Sequence, residues 1–219
     1  MRRLFAFGCS FTNYRWSTWA DCLAPEFDWF ENWGQSGAGN EYIFNSVMEA
    51  DQRHSFGPKD TVVVCWTTAT REDRYVDGRW HTLGNMFSCP IYNKEYLANH
   101  VDERGMLIKT LAYIKAVRVL LEQTGCQWKF LSMSNLDSLN IYDDTVKSIL
   151  PSYQTVLFAG GWPDRNGDPH PSPAEHLAYL DSVLPGWVTK QSTRVKMHEE
   201  SINLNKDPRK TGMTKVTRL

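Results

Sequence analysis

The sequence lacks a large net charge, a long apolar run and a paired-cysteine motif, and each absence excludes a class of protein. A formal net charge of -1 over 219 residues gives no electrostatic reason for nucleic acid to be the main partner. No apolar run approaches the length of a membrane span. The five cysteines are widely spaced and include no C-x-x-C pair. They argue against a disulfide scaffold or a zinc site and favour a reducing compartment.

Two further absences limit what the N-terminal part of the chain can be. Arg2 and Arg3 precede an apolar run that ends at Cys9, which is far too short for a secretion or lipoprotein signal. We therefore expect no signal peptide and interpret this run as the first strand. The glycine loop at 34–40 lacks the G-x-G-x-x-G order of a dinucleotide site and follows the second predicted strand, so no nucleotide cofactor is expected.

The apolar run at 4–7 reaches Gly8, and Ser10 follows two residues later. A short apolar run that ends in glycine is typical of a buried strand leaving its sheet. Ser10 would then lie just past the carboxyl end of the first strand, at the edge where open α/β sheets bind ligands. There Ser10 could offer a substrate both its hydroxyl and its N–H, or it could simply cap the helix that follows.

The rest of the chain alternates strand patterns with amphipathic helix patterns. The clearest strand, at 61–66, is apolar without interruption, as is typical of a strand covered on both faces. Apolar residues spaced by three and four predict the helices, the longest of which spans 102–123 and ends at Gly125. The other predicted elements are helices at 16–23, 41–52 and 173–184, strands at 27–33 and 127–133, and a loop with one helical turn at 134–151.

This alternation predicts a three-layer α/β/α sandwich, with a mostly parallel sheet of about four or five strands and helices on both faces. The domain is expected to cover residues 1–190. Residues 191–219 are polar and basic and are expected to form a solvated extension. The sharper alternative is an arm that binds a protein partner or a polyanion.

Residues 75–96 show no clear period and combine polar with aromatic side chains. A loop of this length is usually functional or mobile. We predict an irregular lid on the substrate side, with aromatic faces on which a sugar could stack. The alternative is a packed surface excursion.

A second segment with catalytic potential precedes the last predicted helix. Ser172 at the cap, Pro173 at the first position and Glu175 three residues after the cap form a strong helix start. His170 therefore lies in a loop just outside a helix N-terminus.

A hydrolytic serine needs a base within hydrogen-bond reach, a group that orients the base, and N–H donors for the oxyanion. Ser10 can be the nucleophile and His170 the base. Asp168 or Asp164 can orient the base, and the N–H groups of Ser10 and Gly37 can be the donors.

Three blocks of the sequence, at 8–12, 32–37 and 168–172, resemble those of the SGNH (GDSL-like) hydrolases in residues and in order. The first, GCSFT, is similar to Gly-Asp-Ser-x-(Thr/Ser). The second, NWGQSG, is similar to the block whose glycine N–H, here that of Gly37, helps to form the oxyanion hole. The third, DPHPS, is similar to the block that holds the Asp and His of the triad.

The resemblance covers most of residues 3–184, and the family members that the chain resembles most are compact and phage-encoded. It implies the SGNH/flavodoxin-like form of the predicted sandwich and a serine esterase without a cofactor or a metal. It also implies a small-molecule or glycan ester as substrate, and in its finest form the removal of acetyl groups from a carbohydrate. No nucleic-acid or membrane partner is expected.

The chain departs from the family pattern at three points. Cys9 stands where the family usually has an Asp that is not part of the triad. No Asn follows the third strand to donate to the oxyanion, and Thr68 is the substitute that we consider. Asp168 and His170 are separated by one residue rather than two. Asp168 could therefore face away from the ring, which would leave Asp164 or a backbone carbonyl to orient it.

Trp66 and Arg71, at and just after the end of the third strand, are the predicted substrate-binding residues. Arg71 could bind a carboxylate or a phosphate, or it could pair with Glu72 or Asp73 at the surface. The missing Asn and the short Asp–His spacing also motivate an alternative function: a catalytically weak or inactive binding or structural module, such as a phage virion component. The expected location is the cytoplasm, or the virion if the protein is phage-encoded.

Overall fold

A computed structural model describes residues 1–137, 139–165 and 167–206, and for residues 205 and 206 only the backbone. In chain order the strands are β1 (Arg3–Phe7), β2 (Trp29–Asn32), β3 (Asp60–Trp66), β4 (Arg71–Val76), β5 (Arg79–Asn85) and β6 (Gln127–Ser132). The helices are α1 (Trp19–Leu23), α2 (Asn40–His54), α3 (Lys94–His100), α4 (Glu103–Thr124), α5 (Asp143–Lys147), α6 (Tyr153–Val156), α7 (Pro173–Val183) and α8 (Gln191–Lys206).

Four strands form a parallel sheet in the order β2-β1-β3-β6. All of β3, and β1 from Leu4 to Phe7, are buried, as expected for central strands with helices on both faces. Helix α2 contacts α4, whereas α1 and α8 both contact α7. Because parallel crossovers are right-handed, these two groups of helices cover opposite faces of the sheet. The predicted α/β/α sandwich with a mostly parallel sheet is confirmed.

Most of the helices begin and end where the sequence places them. The predicted bounds of α2, α4 and α7 are within two residues of those observed. The Asp102 side chain caps α4 by accepting the N–H groups of Arg104 and Gly105, and Gly125 ends that helix at a φ of 70°. The predicted capping box opens α7. Within the described ranges, no helix is both long and apolar enough to cross a membrane.

The first helix begins at Trp19, three residues later than predicted. The N–H of Thr18 donates to the carboxylate of Asp21 at 2.8 Å and so sets the start of α1. Trp16 stays outside the helix but is buried, and its indole N–H donates to the carbonyl oxygen of Pro171 at 2.7 Å. This hydrogen bond joins the chain that follows β1 to the chain that precedes α7.

The prediction of an irregular segment at 75–96 is wrong for its first half, whereas residues 86–93 form neither helix nor strand. Strands β4 and β5 pair antiparallel and form a hairpin outside the main sheet. Asp77 and Gly78 at its tip both have left-handed φ angles, 52° and 74°. Asp-Gly is a dipeptide that two-residue hairpin turns favour, because both central residues need positive φ. The signal for the hairpin was therefore present in the sequence.

Helix α8 occupies the first part of the segment predicted to be a solvated extension. Its side chains Met197 and Leu204 are buried, and the N–H of Ala174 in α7 donates to the Ser201 hydroxyl at 2.7 Å. Residues 191–206 therefore pack on the domain, because α8 has apolar side chains of its own to bury. The prediction of a solvated tail is therefore wrong for residues 191–206. The basic residues beyond 206 lie outside the described residues, and a binding arm there stays a prediction.

A buried pair between α6 and α7 links folding to pH. The Tyr153 hydroxyl lies 2.7 Å from Nδ1 of His176, and both side chains are fully buried. Burial lowers the pKa of His176 from its ordinary 6.5 to about 3. The imidazole therefore stays neutral in the folded protein at a pH where it is protonated in the unfolded chain.

We predict that the stability contributed by His176 is complete above pH 6.5 and is lost as the pH falls toward about 3. The loss is about 1.4 kcal/mol per pH unit, or about 2 kcal/mol between pH 6.5 and 5. His176→Gln should flatten the pH dependence by this amount in urea unfolding measurements. His198→Gln, which changes an exposed histidine of α8, is the matched control. Equal slopes for the wild type and the His176 variant would contradict the prediction.

Candidate active site

Ser10 lies just after β1, at the predicted carboxyl edge of the sheet. A Cβ on Gly8 would lie 2.1 Å from the hydroxyl oxygen of Thr12, so only glycine allows the chain to turn so tightly here. The N–H groups of Thr12 and Asn13 both donate to the carbonyl oxygen of Cys9, at 2.9 and 3.1 Å. The chain thus winds into a helical turn that holds Ser10 at the edge.

His170 reaches Ser10 from 160 positions further along the chain. Its Nε2 lies 2.8 Å from the Oγ of Ser10, and its Nδ1 lies 2.7 Å from Oδ1 of Asp168. Ser10 is 5% exposed, whereas 21% of the His170 side chain is open to solvent. The three side chains therefore form a connected Ser–His–Asp hydrogen-bond chain that solvent can reach.

The one-residue spacing between Asp168 and His170 does not turn the carboxylate away from the ring. Oδ1 of Asp168 accepts the backbone N–H of His170 at 3.0 Å as well as the ring Nδ1–H. A carboxylate that binds the N–H two residues further on makes an Asx turn, and this turn aims it at the imidazole. The alternative, Asp164, accepts the N–H of Gly167 at 2.6 Å and so shapes the loop instead.

Two residues that the sequence analysis missed hold the carboxylate from its other side. Oδ2 of Asp168 accepts hydrogen bonds from the Tyr14 hydroxyl at 2.7 Å and from the Arg15 guanidinium at 2.5 Å. The Tyr14 ring also stacks on the imidazole of His170, with ring centroids 3.9 Å apart. No motif marks these residues. The only signal is that they follow Ser10 within five positions and so must lie near the same edge.

The charges around the site favour an ionised carboxylate and a neutral imidazole. Burial alone would raise the pKa of Asp168, but hydrogen bonds from the His170 N–H, the Tyr14 hydroxyl and the His170 ring hold it below its usual value. Burial lowers the pKa of His170; Asp168 opposes this effect, and the positive charges of Arg71 and Arg15 reinforce it. A neutral imidazole beside a hydroxyl can act as a general base near pH 7.

The glycine loop lies beside the turn that carries Ser10, because the N–H of Gln35 donates to the Gly8 carbonyl oxygen at 3.0 Å. Strand β5 covers this loop so closely that a Cβ on Gly37 would lie 2.5 Å from the Thr82 carbonyl oxygen. In the described part of the chain, the N–H groups of Ser10 and Gly37 donate to no protein acceptor. Their role as oxyanion donors stays a prediction.

Thr68, the predicted substitute for the missing Asn, has other contacts. Its carbonyl oxygen accepts the side-chain amide of Asn40 at 3.5 Å, and its hydroxyl accepts that of Thr70 at 3.5 Å. Neither contact directs the Thr68 hydroxyl toward Ser10. Its role as a third oxyanion donor stays a prediction.

The two predicted substrate-binding residues differ in their surroundings. Trp66 is fully buried, and its ring packs edge-on against Phe130 with centroids 5.6 Å apart. The prediction that Trp66 contacts substrate is wrong, because side chains at a strand end still point into the layers above and below the sheet. Arg71 is half-buried at the start of β4, and its guanidinium donates to the carbonyl oxygen of Ala38 at 3.1 Å.

A cleft of about 330 Å³ begins at Arg71 and extends between α2, the hairpin, α3 and α4. Arg71 lines this cleft, whereas Ser10 and His170 do not. No three His, Cys, Asp or Glu side chains in the described ranges come together as a metal site.

Several solved structures are similar to this chain at low sequence identity. The chain is similar to a member of the lipolytic G-D-S-L family from Veillonella parvula, at 13% identity and a TM-score of 0.45, over 83% of this chain and 97% of that one. It is similar to a psychrotrophic esterase from Pseudoalteromonas, at 10% identity and a TM-score of 0.42, over 94% of this chain and 100% of that one. It is also similar to a carbohydrate esterase, at 15% identity and a TM-score of 0.42, over 88% of this chain and 70% of that one. No protein-family model and no curated protein matches it. At these identities and scores, the activity of this chain has to be inferred from its own side chains.

We predict that Asp168→Asn lowers the pKa of His170 further, because it removes a negative charge that favours the imidazolium. NMR titration of the imidazole signals measures this pKa. Asp164→Asn is the matched control, since among the described residues its carboxylate accepts the backbone N–H of Gly167 and makes no contact with His170. It should leave the His170 pKa unchanged. An equal change in both variants would contradict the assignment of Asp168 as the orienting carboxylate.

Proposed function

We propose that this chain is a serine hydrolase that cleaves carboxylic esters, with Ser10 as its nucleophile. The proposal is carried by the hydrogen-bonded chain from Ser10 through His170 to Asp168, with distances of 2.8 and 2.7 Å. A serine hydroxyl is a weak nucleophile until a base removes its proton. This geometry provides the base and the carboxylate that orients it.

In the first half of the reaction, the Oγ of Ser10 attacks the ester carbonyl carbon while its proton passes to Nε2 of His170. The carbonyl oxygen becomes an oxyanion, which the N–H groups of Ser10 and Gly37 stabilise. The imidazolium then gives its proton to the departing alcohol, and the acyl group remains on Ser10. In the second half, water attacks the acyl carbon and passes a proton to the imidazole. The bond from the acyl carbon to the Oγ of Ser10 then breaks, the imidazolium returns its proton to that Oγ, and the carboxylic acid leaves.

Asp168 keeps the proton of the neutral imidazole on Nδ1, so that Nε2 faces Ser10 with its lone pair. It also stabilises the imidazolium that forms during each half-reaction. Tyr14 and Arg15 bind the other carboxylate oxygen and keep it ionised and aimed. We therefore regard Tyr14 and Arg15 as positioning residues.

The oxyanion hole has two backbone donors and no Asn side chain. Loss of one donor typically costs about 10²–10³ in turnover. We therefore expect slow hydrolysis of unactivated esters and easier hydrolysis of activated ones. A wholly inactive binding module is the alternative, and the same activity measurements separate the two.

A carbohydrate ester is the finer form of this proposal, and it rests on the resemblance seen in the sequence. The ring of Trp162 supports it, because it is 36% exposed and packs edge-on against Phe11. The Phe11 ring in turn lies 5.7 Å from that of His170. An exposed indole that is linked to the base through one shared ring contact offers a face for a sugar ring. The sequence had predicted such a face in residues 75–96 instead.

We predict that the wild type hydrolyses p-nitrophenyl acetate and that Ser10→Ala lowers kcat/KM by about 10³-fold or more. A fluorophosphonate should label the wild type and not this variant. Ser88→Ala, an exposed serine after the hairpin, is the matched control and should keep full activity. Absence of both turnover and labelling in the wild type would overturn the hydrolase and favour the inactive module.

We also predict that kcat/KM falls on the acid side with a midpoint below pH 6.5. His170 acts as a base only when neutral, and burial holds its pKa below the ordinary 6.5. Activity should therefore be fully present at pH 7 and should decline only as the pH falls through the lowered pKa. A midpoint at or above pH 7 would contradict the arrangement of charges around His170.

A further inference from the structure

Arg71 brings to the site a positive charge that forms no ion pair with a carboxylate in the described part of the chain, although the buried Asp73 is close enough to feel it. Its guanidinium donates to the carbonyl oxygen of Ala38 at 3.1 Å and to the sulfur of Met133 at 3.6 Å, and both acceptors are neutral. Its Nε is buried and has no hydrogen-bond partner in the described part of the chain. The two other arginines near the site each contact a carboxylate, that of Asp168 or that of Glu175.

The carboxylates closest to Arg71 in the chain or along the cleft are engaged elsewhere. Glu72 pairs with Arg74, and Asp73 accepts two backbone N–H groups, from the glycine loop and from α2, both at 2.8 Å. Glu41 pairs with a lysine of α4 at 2.5 Å. The surface pairing of Arg71 that the sequence left open is therefore not formed. A half-buried charge without a partner is costly, so a bound anion would complete this site.

The guanidinium lies at the same sheet edge as the nucleophile. Ala38 directly follows Gly37 in the glycine loop, and Met133 directly follows β6, so Arg71 spans the edge above β3. β3 is the neighbour of β1, which leads into Ser10. The charge is also close enough to His170 to help lower the pKa of the imidazole.

We propose that Arg71 binds a carboxylate of the substrate, so that the preferred ester carries a negative charge near the scissile bond. This inference rests on the proposed esterase function and narrows its substrate class to carboxylate-bearing esters. A guanidinium presents paired N–H groups that match a carboxylate. One uncompensated guanidinium balances one carboxylate, whereas a phosphate would need further cations. The cleft that begins at Arg71 has room for the rest of the substrate.

The test compares esters that differ only in a carboxylate. The first pair is mono-4-nitrophenyl glutarate and 4-nitrophenyl butyrate, in which the glutarate carries the charge on its acyl side. The second pair is 4-acetoxybenzoate and its methyl ester, in which the benzoate carries the charge on its alcohol side. The wild type should prefer the charged member of at least one pair by about tenfold or more in kcat/KM. Arg71→Met should abolish that preference, because it should lower kcat/KM for the charged member of the pair by about tenfold more than for the neutral member. Arg71→Lys should keep part of the preference, because a point charge lacks the paired donors.

Arg79→Met is the matched control, since it removes an exposed arginine at the hairpin tip and should preserve the preference. Equal losses on charged and neutral esters in Arg71→Met would overturn the proposal, as would a wild type without any preference. In both cases Ser10-dependent hydrolysis of the neutral esters would leave the esterase function standing. If no ester is hydrolysed, calorimetry with glutarate still tests the anion site, which predicts binding to the wild type and not to Arg71→Met. Absence of glutarate binding there would overturn the anion site as well.

Discussion

The site depends on the contact between the turn after β1 and the loop before α7. The indole N–H of Trp16 donates to the carbonyl oxygen of Pro171 at 2.7 Å, with the indole buried. Breaking such a bond would leave a buried donor unsatisfied, which costs about 1–3 kcal/mol. The rings of Phe11 and Tyr14 pack against His170 from the same turn. Packing and hydrogen bonds outside the triad therefore fix where its base stands relative to its nucleophile.

The elements that the sequence predicted well are those whose signals are local. β3 reads as a continuous apolar run, and α7 carries its capping box in four consecutive residues. The late start of α1 could not be predicted from apolar spacing alone. Trp16 has the spacing of a helix residue, but it is buried by a hydrogen bond to a distant loop. The hairpin had a local signal, the Asp-Gly dipeptide, but it was not predicted. Its two strands are polar and aromatic and show no clear alternation, so they did not read as strands.

The same division holds for the site. The sequence predicted that Ser10, His170 and Asp168 lie together, because the order of the strands places distant parts of the chain at one edge of the sheet. The Ser10–His170 and His170–Asp168 distances agree with this prediction. The choice of Asp168 over Asp164 depended on an Asx turn, which is a backbone conformation that spacing does not specify. The contacts of Tyr14 with Asp168 span 154 positions and follow from tertiary packing alone. The prediction that Trp66 contacts substrate was wrong because a position at the end of a strand does not reveal whether the layers over the sheet bury that side chain.

The distribution of charge gives the site a direction. The carboxylate of Asp168 is bound by Arg15 and Tyr14, whereas Arg71 forms no ion pair among the described residues. The edge therefore presents one guanidinium that no carboxylate contacts. Such an edge attracts anions, and it favours the oxyanion that forms when Ser10 attacks, since fixed charges and N–H groups need no reorganisation at that moment. Burial is the main cause that lowers the pKa of His170, and the positive charges of Arg71 and Arg15 lower it further. The guanidinium of Arg71 thus links the acid–base state of the triad to the charge of whatever binds beside it.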